Sequence, residues 1–131
     1  MRQLVYNAVK CHDCEETIVS YSRHDYKTCG CQNEAMVDGG TAYERYGAKD
    51  MSRIEKINIY ADDDFETVRK YATRGARGKD GKQPLKWIPI CDLEDDHLQA
   101  IIEYGGASWH LDLIGKEIDY RLSLLQKKLD K

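Results

Sequence analysis

No run in this chain approaches the roughly 20 apolar residues that a membrane-spanning helix needs, which excludes a hydropathy-driven transmembrane segment. The opening residues, Met1-Arg2-Gln3-Leu4-Val5-Tyr6, lack the apolar core and small-residue cleavage site of a secretory signal. A cytoplasmic, reducing setting is the expectation, and it disfavours disulfides. Charge of one sign is also scarce: the formal net charge is −3, which argues against bulk attraction to nucleic acid or anionic membranes. No Ser-His-Asp, Cys-His or spaced-carboxylate constellation stands out, and no glycine-rich run ends in Lys-Ser or Lys-Thr ahead of a helix, so a Walker A site is absent. These absences point away from an enzyme.

What the chain does have is cysteine in pairs. Four of its five cysteines lie in Cys11-His12-Asp13-Cys14 and Cys29-Gly30-Cys31. A CxxC turn presents two sulfurs from a tight knuckle, and the intervening segment is long enough for two short strands that return the second pair. The spacing predicts a tetrahedral site with Cys11, Cys14, Cys29 and Cys31 as ligands and structural Zn²⁺ as the metal. The CxC half is less standard than a second CxxC, and two disulfides or free buried thiols are the competing readings. His12 is expected to point away from the metal. His24, midway between the pairs, could replace a ligand, hydrogen-bond the turn, or contact a partner.

Around the cysteines, Leu4-Val5-Tyr6 reads as a short entry strand, Glu15 to Tyr21 as a β-branched strand, and Ala35-Met36-Val37 as a return strand closed by Asp38-Gly39-Gly40. A module this small gains much of its folding free energy from metal. The run Cys11-x-x-Cys14, Ser22-Arg23-His24-Asp25-Tyr26, Cys29-x-Cys31, Val37-Asp38-Gly39-Gly40 and Tyr43-Glu44-Arg45-Tyr46-Gly47 resembles a small uncharacterised zinc-ribbon-like family common in bacteriophages and their hosts, over about residues 4–47. The resemblance implies a phage or prophage source and a metal site. It implies no activity. Gln32-Asn33-Glu34 departs from the family pattern, which passes more directly into the return strand.

Lys49-Asp50-Met51-Ser52 marks an expected boundary, giving a zinc-ribbon-like module over 1–48 and an α+β body over 49–131 that ends in a long helix. In the body, residues 53–60 alternate as a strand, and Asp62-Asp63-Asp64 caps a helix carrying Phe65, Val68 and Ala72, with Arg69, Lys70 and Arg74 near its end. The three aspartates could instead bind a divalent cation. Residues 71–86 concentrate cations and glycine. Arg74, Arg77, Lys79 and Lys82 can contact phosphates, and Trp87 can stack on a base. A mobile, solvated hairpin-like loop is the competing reading. Leu85 to Ile90 reads as an edge strand interrupted by Pro89, and Cys91 as a small buried hydrophobe. Asp92 to Tyr104 reads as a helix with Leu98, Ile101 and Ile102 inward, stopped by Gly105-Gly106. A last helix from Ser108 carries Leu111, Ile114, Ile118, Leu122, Leu125 and Leu129 as one apolar stripe, usable for homo-oligomer formation or for the chain's own core.

The expected fold is thus α+β: an N-terminal β module, then a small α/β body ending in the long helix. The expected function is that of a zinc-stapled phage-type binding protein. It would sequester a phosphate-bearing host nucleotide signal or block a host defence protein. The alternative is a nucleic-acid-binding zinc-ribbon accessory protein.

Overall fold

Residues 4–11 are rich in branched and apolar side chains and alternate little in burial, as befits a strand covered on both faces. In a computed structural model, which describes residues 2–130, they form β1 (Leu4–Cys11). It lies between β2 (Thr17–Ser20) and β6 (Ile54–Tyr60), both antiparallel to it. The register sets Asn7 opposite Ser20 on one side and Asn58 on the other. The entry strand expected over Leu4 to Tyr6 therefore runs on to Cys11, because Asn7 to Lys10 find ladder partners on both sides.

A second antiparallel sheet is built from β3 (Lys27–Thr28), β4 (Met36–Asp38) and β5 (Arg45–Gly47), with β4 in the centre. The turn after β4 requires glycine. Gly39 and Gly40 have φ of +105° and +53°, and a Cβ on Gly40 would lie 2.3 Å from the Ser22 carbonyl carbon. Asn7, fully buried, ties this turn to the first sheet. Its amide donates to the carbonyls of Asp38 at 3.1 Å and Gly40 at 3.0 Å, and its Oδ1 accepts from Lys56 Nζ at 2.7 Å. A buried amide satisfied on both ends fixes one arrangement of the two sheets, since any slip would strand polar atoms away from water.

The chain divides into two compact units, Met1–Tyr71 and Ala72–Lys131. The division falls between Tyr71 and Ala72 and not near Lys49, because β6 pairs along the whole length of β1. The first unit ends in α1 (Phe65–Tyr71), where Asp64 stands at the cap position and its carbonyl takes the N–H groups of Thr67 and Val68. Asp62 and Asp63 are engaged by Arg2, and Asp63 also accepts the Tyr60 N–H at 2.8 Å. The aspartate run is thus occupied as a cap and ion pair. Arg74, expected near the end of this helix, lies beyond it.

In the second unit, β7 (Thr73–Ala76) and β8 (Lys86–Pro89) form a hairpin, followed by α2 (Asp95–Tyr104) and α3 (Ser108–Leu129). Ile90–Asp92 form a 3₁₀ turn, so α2 starts three residues later than Asp92. Cys91 is half-buried and its thiol lies 3.6 Å from Asp92 Oδ1, which corrects its reading as a buried hydrophobe. Gly105, at φ +90°, closes α2 by donating its N–H to Ile101 O. Leu98 and Ile101 are buried, whereas Ile102 is 38% exposed and not inward.

α3 buries His110, Leu113, Ile114 and Glu117, a different face from the expected stripe. Of that stripe only Ile114 is buried. Leu111 and Ile118 are half-buried, and Leu122, Leu125 and Leu129 are exposed. The reason is that polar residues occupy half of the inward face. The Glu117 carboxylate accepts from Arg121 Nε at 2.7 Å, and Arg121 also reaches Asp95 at 2.7 Å and the carbonyls of Ile90 and Cys91 at 3.3 Å. Among the described residues no helix is long and apolar enough to cross a membrane.

Two stability changes are expected. Gly40→Ala should lower unfolding free energy by about 2 kcal/mol through backbone strain, with Gly81→Ala, at φ +71° but in open space, costing less. Arg121→Met should cost about 3 kcal/mol by leaving the Glu117 charge buried without it. Denaturant melts of the three variants at neutral pH measure both.

Candidate metal centre

Each cysteine pair is presented by a strand end and a tight turn. β1 delivers Cys11 as its last residue, and the chain reverses through Glu15, which adopts a left-handed φ of +62°. The reversal is closed by the Cys11 N–H donating to Glu16 O at 2.9 Å. β3 delivers Cys29, whose N–H donates to Ala35 O at 3.1 Å, and Gly30 and Glu34 supply φ of +74° and +51°. The left-handed turns aim backbone N–H groups at sulfur. Cys11 Sγ accepts from the amides of Cys14 and Asp13, Cys14 Sγ from that of Glu16, and Cys31 Sγ from that of Asn33. Cys14 and Cys31 therefore hold equivalent places, each taking the amide two residues ahead, although one pair is CxxC and the other CxC.

The four Sγ atoms lie within 4.8 Å of one another. Cys11 and Cys31 sulfurs are 3.6 Å apart, and those of Cys29 and Cys31 are 3.4 Å apart. Zinc–sulfur bonds of about 2.3 Å in a tetrahedron put sulfurs about 3.8 Å apart, whereas a disulfide needs about 2.05 Å. All four are free thiols, so the disulfide reading does not describe this structure, and the group can hold a metal ion. Cys11 is buried, Cys29 and Cys31 are half-buried, and Cys14 is exposed. Val9, Ile18, Ala35 and Val37 pack around Cys11, with Ala48 and Ile54 beside them.

The electrostatics favour a cation. The Cys14 amide, helped by that of Asp13, pulls the Cys11 thiol down to about 7. Cys31 is pushed up to about 12: the Asn33 amide opposes the rise, but the Cys29 sulfur, burial and the other two cysteines outweigh it. Cys14 is raised as well, since burial and the Cys11 and Cys29 sulfurs outweigh the pull of the Glu16 amide. Four thiolates cannot share this volume unless positive charge is placed among them, and a coordinated divalent ion does that.

The connection over residues 49–53 clasps both knuckles. Asn33, buried beside the second pair, takes the Asp50 N–H on its Oδ1 at 2.7 Å, donates to Asp50 O at 3.2 Å, and accepts the Lys49 N–H on its own carbonyl at 2.9 Å. Arg53 pairs with Asp13 at 2.8 Å, and its carbonyl accepts the His12 N–H at 2.8 Å. His12 faces Glu55, 3.5 Å away, as expected of a side chain pointing off the metal. His24 is not a ligand either. Its Nδ1 lies 2.8 Å from Tyr43 Oη, which in turn donates to Asp38 Oδ2 at 3.3 Å. Among the described residues, the His, Cys, Asp or Glu group placed to share an ion consists of the four cysteines.

The cationic residues singled out in the sequence are dispersed. Arg74 pairs with Ile88 across the hairpin and Gly75 with Trp87, so Arg74 and Trp87 project from opposite faces. Arg77, Lys79 and Lys82 lie on the exposed loop beyond β7, which is pinned by Gln83 N–H to Arg77 O and by Lys82 N–H to Asp80 Oδ1 at 2.9 Å each. Gly75 serves packing: a Cβ there would meet the Trp87 ring at 3.1 Å. Arg74 instead lies near His110, whose pKa is pushed down first by burial and then by that charge. Asn33, Asp50 and Arg53 were missed by sequence reasoning, because single side chains gripping a loop leave no periodic or motif signal.

Residues 3–48 match the model of a domain of unknown function, DUF7695, a span that contains both cysteine pairs and ends inside the clasp. Searches of curated proteins and of solved structures return no match.

Protein purified under reducing conditions should carry one metal ion per chain, read by elemental analysis. Cys14→Ser or Cys31→Ser should reduce that content at least tenfold and lower the melting temperature, while His12→Ala and His24→Ala should leave the metal content unchanged.

Proposed function

We propose that the cysteine centre holds Zn²⁺ as a structural ion and that the chain is a binding protein, not a catalyst. The observation that carries this is the convergence of four sulfurs within 4.8 Å. Four thiolates saturate a tetrahedral ion and leave no open position for water or substrate. The bound ion supplies folding free energy, on the order of 10 kcal/mol in small zinc modules. The metal's work is then to hold β1, β3 and the clasp in one register.

The binding surface in this reading is the tip of the β7–β8 hairpin. Arg77, Lys79 and Lys82 are exposed there, Gly78 and Gly81 adopt left-handed φ of +77° and +71°, and the ligand is a phosphate-bearing small molecule. Arg74 and Trp87 leave the proposed set together, since one surface cannot use both. The likeness of residues 4–47 to phage-borne proteins supplies the setting, in which a host nucleotide signal or a host defence protein is captured in stoichiometric amounts.

Calorimetric titration with nucleoside di- and triphosphates and with pyrophosphate tests this. Binding should weaken at least tenfold in the Arg77→Ala, Lys79→Ala, Lys82→Ala triple variant, with an unchanged melting temperature. Hydrolysis of any of these compounds by the purified protein, lost in the same variant, would replace the binding role with an enzymatic one. A steeply salt-dependent affinity for nucleic acid, with none for the free nucleotides, would favour the accessory role in nucleic-acid processing.

A further inference from the structure

The last turns of α3 are poorly explained by the fold of their own unit. Arg121 is the last half-buried residue, and from Leu122 to Asp130 every residue is exposed. That stretch rises about 13 Å along the axis and carries Leu122, Leu124, Leu125 and Leu129, which are 58%, 42%, 55% and 79% exposed. Four leucines close together in water are a patch and not scatter, and such a patch marks a contact surface.

Its spacing says what kind of contact. Leu111, Gly115, Ile118, Leu122, Leu125 and Leu129 follow one another in alternating steps of four and three, the seam of a two-stranded coiled coil. The seam is offset by about a quarter turn from the face that α3 buries in its own unit, through His110, Leu113, Ile114 and Glu117. At Gly115 no atom lies within 4 Å of where a Cβ would be, so that seam position has room for a neighbouring helix to approach closely.

The flanks decide the occupant. Asp112 and Asp119 border the seam on one side, and Arg121 and Lys128 border it on the other. Two copies laid side by side in parallel set the basic flank of each against the acidic flank of its neighbour, with Arg121 nearest the other copy's Gln126. Antiparallel copies set like flanks together. A surface carrying both signs in this order is complementary to itself. We propose that α3 pairs in parallel with α3 of a second copy of this chain through the seam positions Ile118, Leu122, Leu125 and Leu129, forming a dimer through the second unit whatever the cysteine centre binds.

Light scattering coupled to size exclusion, over roughly 5 to 200 µM, tests the pairing. The expected mass is twice the 15.1 kDa of one chain at the upper end, falling toward one chain on dilution. Leu122→Lys with Leu125→Lys should give one chain throughout, with unchanged helix content and melting of the remainder, because both side chains are exposed. Asp119→Lys reads the orientation: the parallel arrangement predicts at least a fivefold weaker dimer, and the antiparallel one a tighter dimer. A single-chain mass for the native protein at 200 µM overturns the proposal, as does a double-lysine variant that dimerises like the native chain. A tighter dimer in Asp119→Lys overturns the parallel arrangement.

Discussion

Repulsion among four sulfur ligands is the constraint on which the first unit depends. Cys11, Cys14, Cys29 and Cys31 sit within 4.8 Å of one another in a pocket lined by Val9, Ile18, Ala35 and Val37. Burial and mutual proximity oppose ionisation there, and backbone amides aimed at Cys11, Cys14 and Cys31 favour it. The two tendencies are reconciled by a cation. Once that is granted, the left-handed turns at Glu15, Gly30 and Glu34 have a common purpose, since each turns the chain so that sulfurs and N–H groups face inward.

Around that centre the unit is organised by a few buried polar residues more than by its apolar ones. Asn7 reaches across to the carbonyls of Asp38 and Gly40 while accepting from Lys56, and so fixes how the two sheets meet. Asn33 does the same for the second knuckle by gripping the backbone of Asp50. Each is satisfied in one geometry only, so each converts a loose apolar contact into a defined register. The second unit uses the same device through Glu117 and Arg121, which join α3 to the start of α2 and to the 3₁₀ turn before it.

This shared device explains where pattern reading failed. The strands over Thr17–Ser20, Met36–Asp38 and Ile54–Tyr60, the start of α3 at Ser108 and the stop at Gly105 were legible, because β-branched runs, glycines and helical spacing act locally. The inward face of α3 was not. His110 and Glu117 look like solvent-facing residues in a hydropathy pattern, and the leucines beyond Arg121 look like core. The boundary near Lys49 failed for a related reason. A polar, charged stretch reads as a linker, yet here its backbone holds both knuckles while β6 pairs with β1.

The sequence by itself determined the metal ligands, the α+β class, the glycine turn after β4 and the heptad spacing of α3. Those properties rest on residue chemistry and on local backbone preference, which are written position by position. Only the tertiary structure decided that the cysteines form one cluster of free thiols, that Arg74 and Trp87 face apart, and that residues 49–53 belong to the first unit. Each of those depends on strand pairing or on side chains distant in sequence, and such contacts are specified jointly by the whole chain. A cysteine pair announces that it can bind a metal; the strand register determines which other pair it meets.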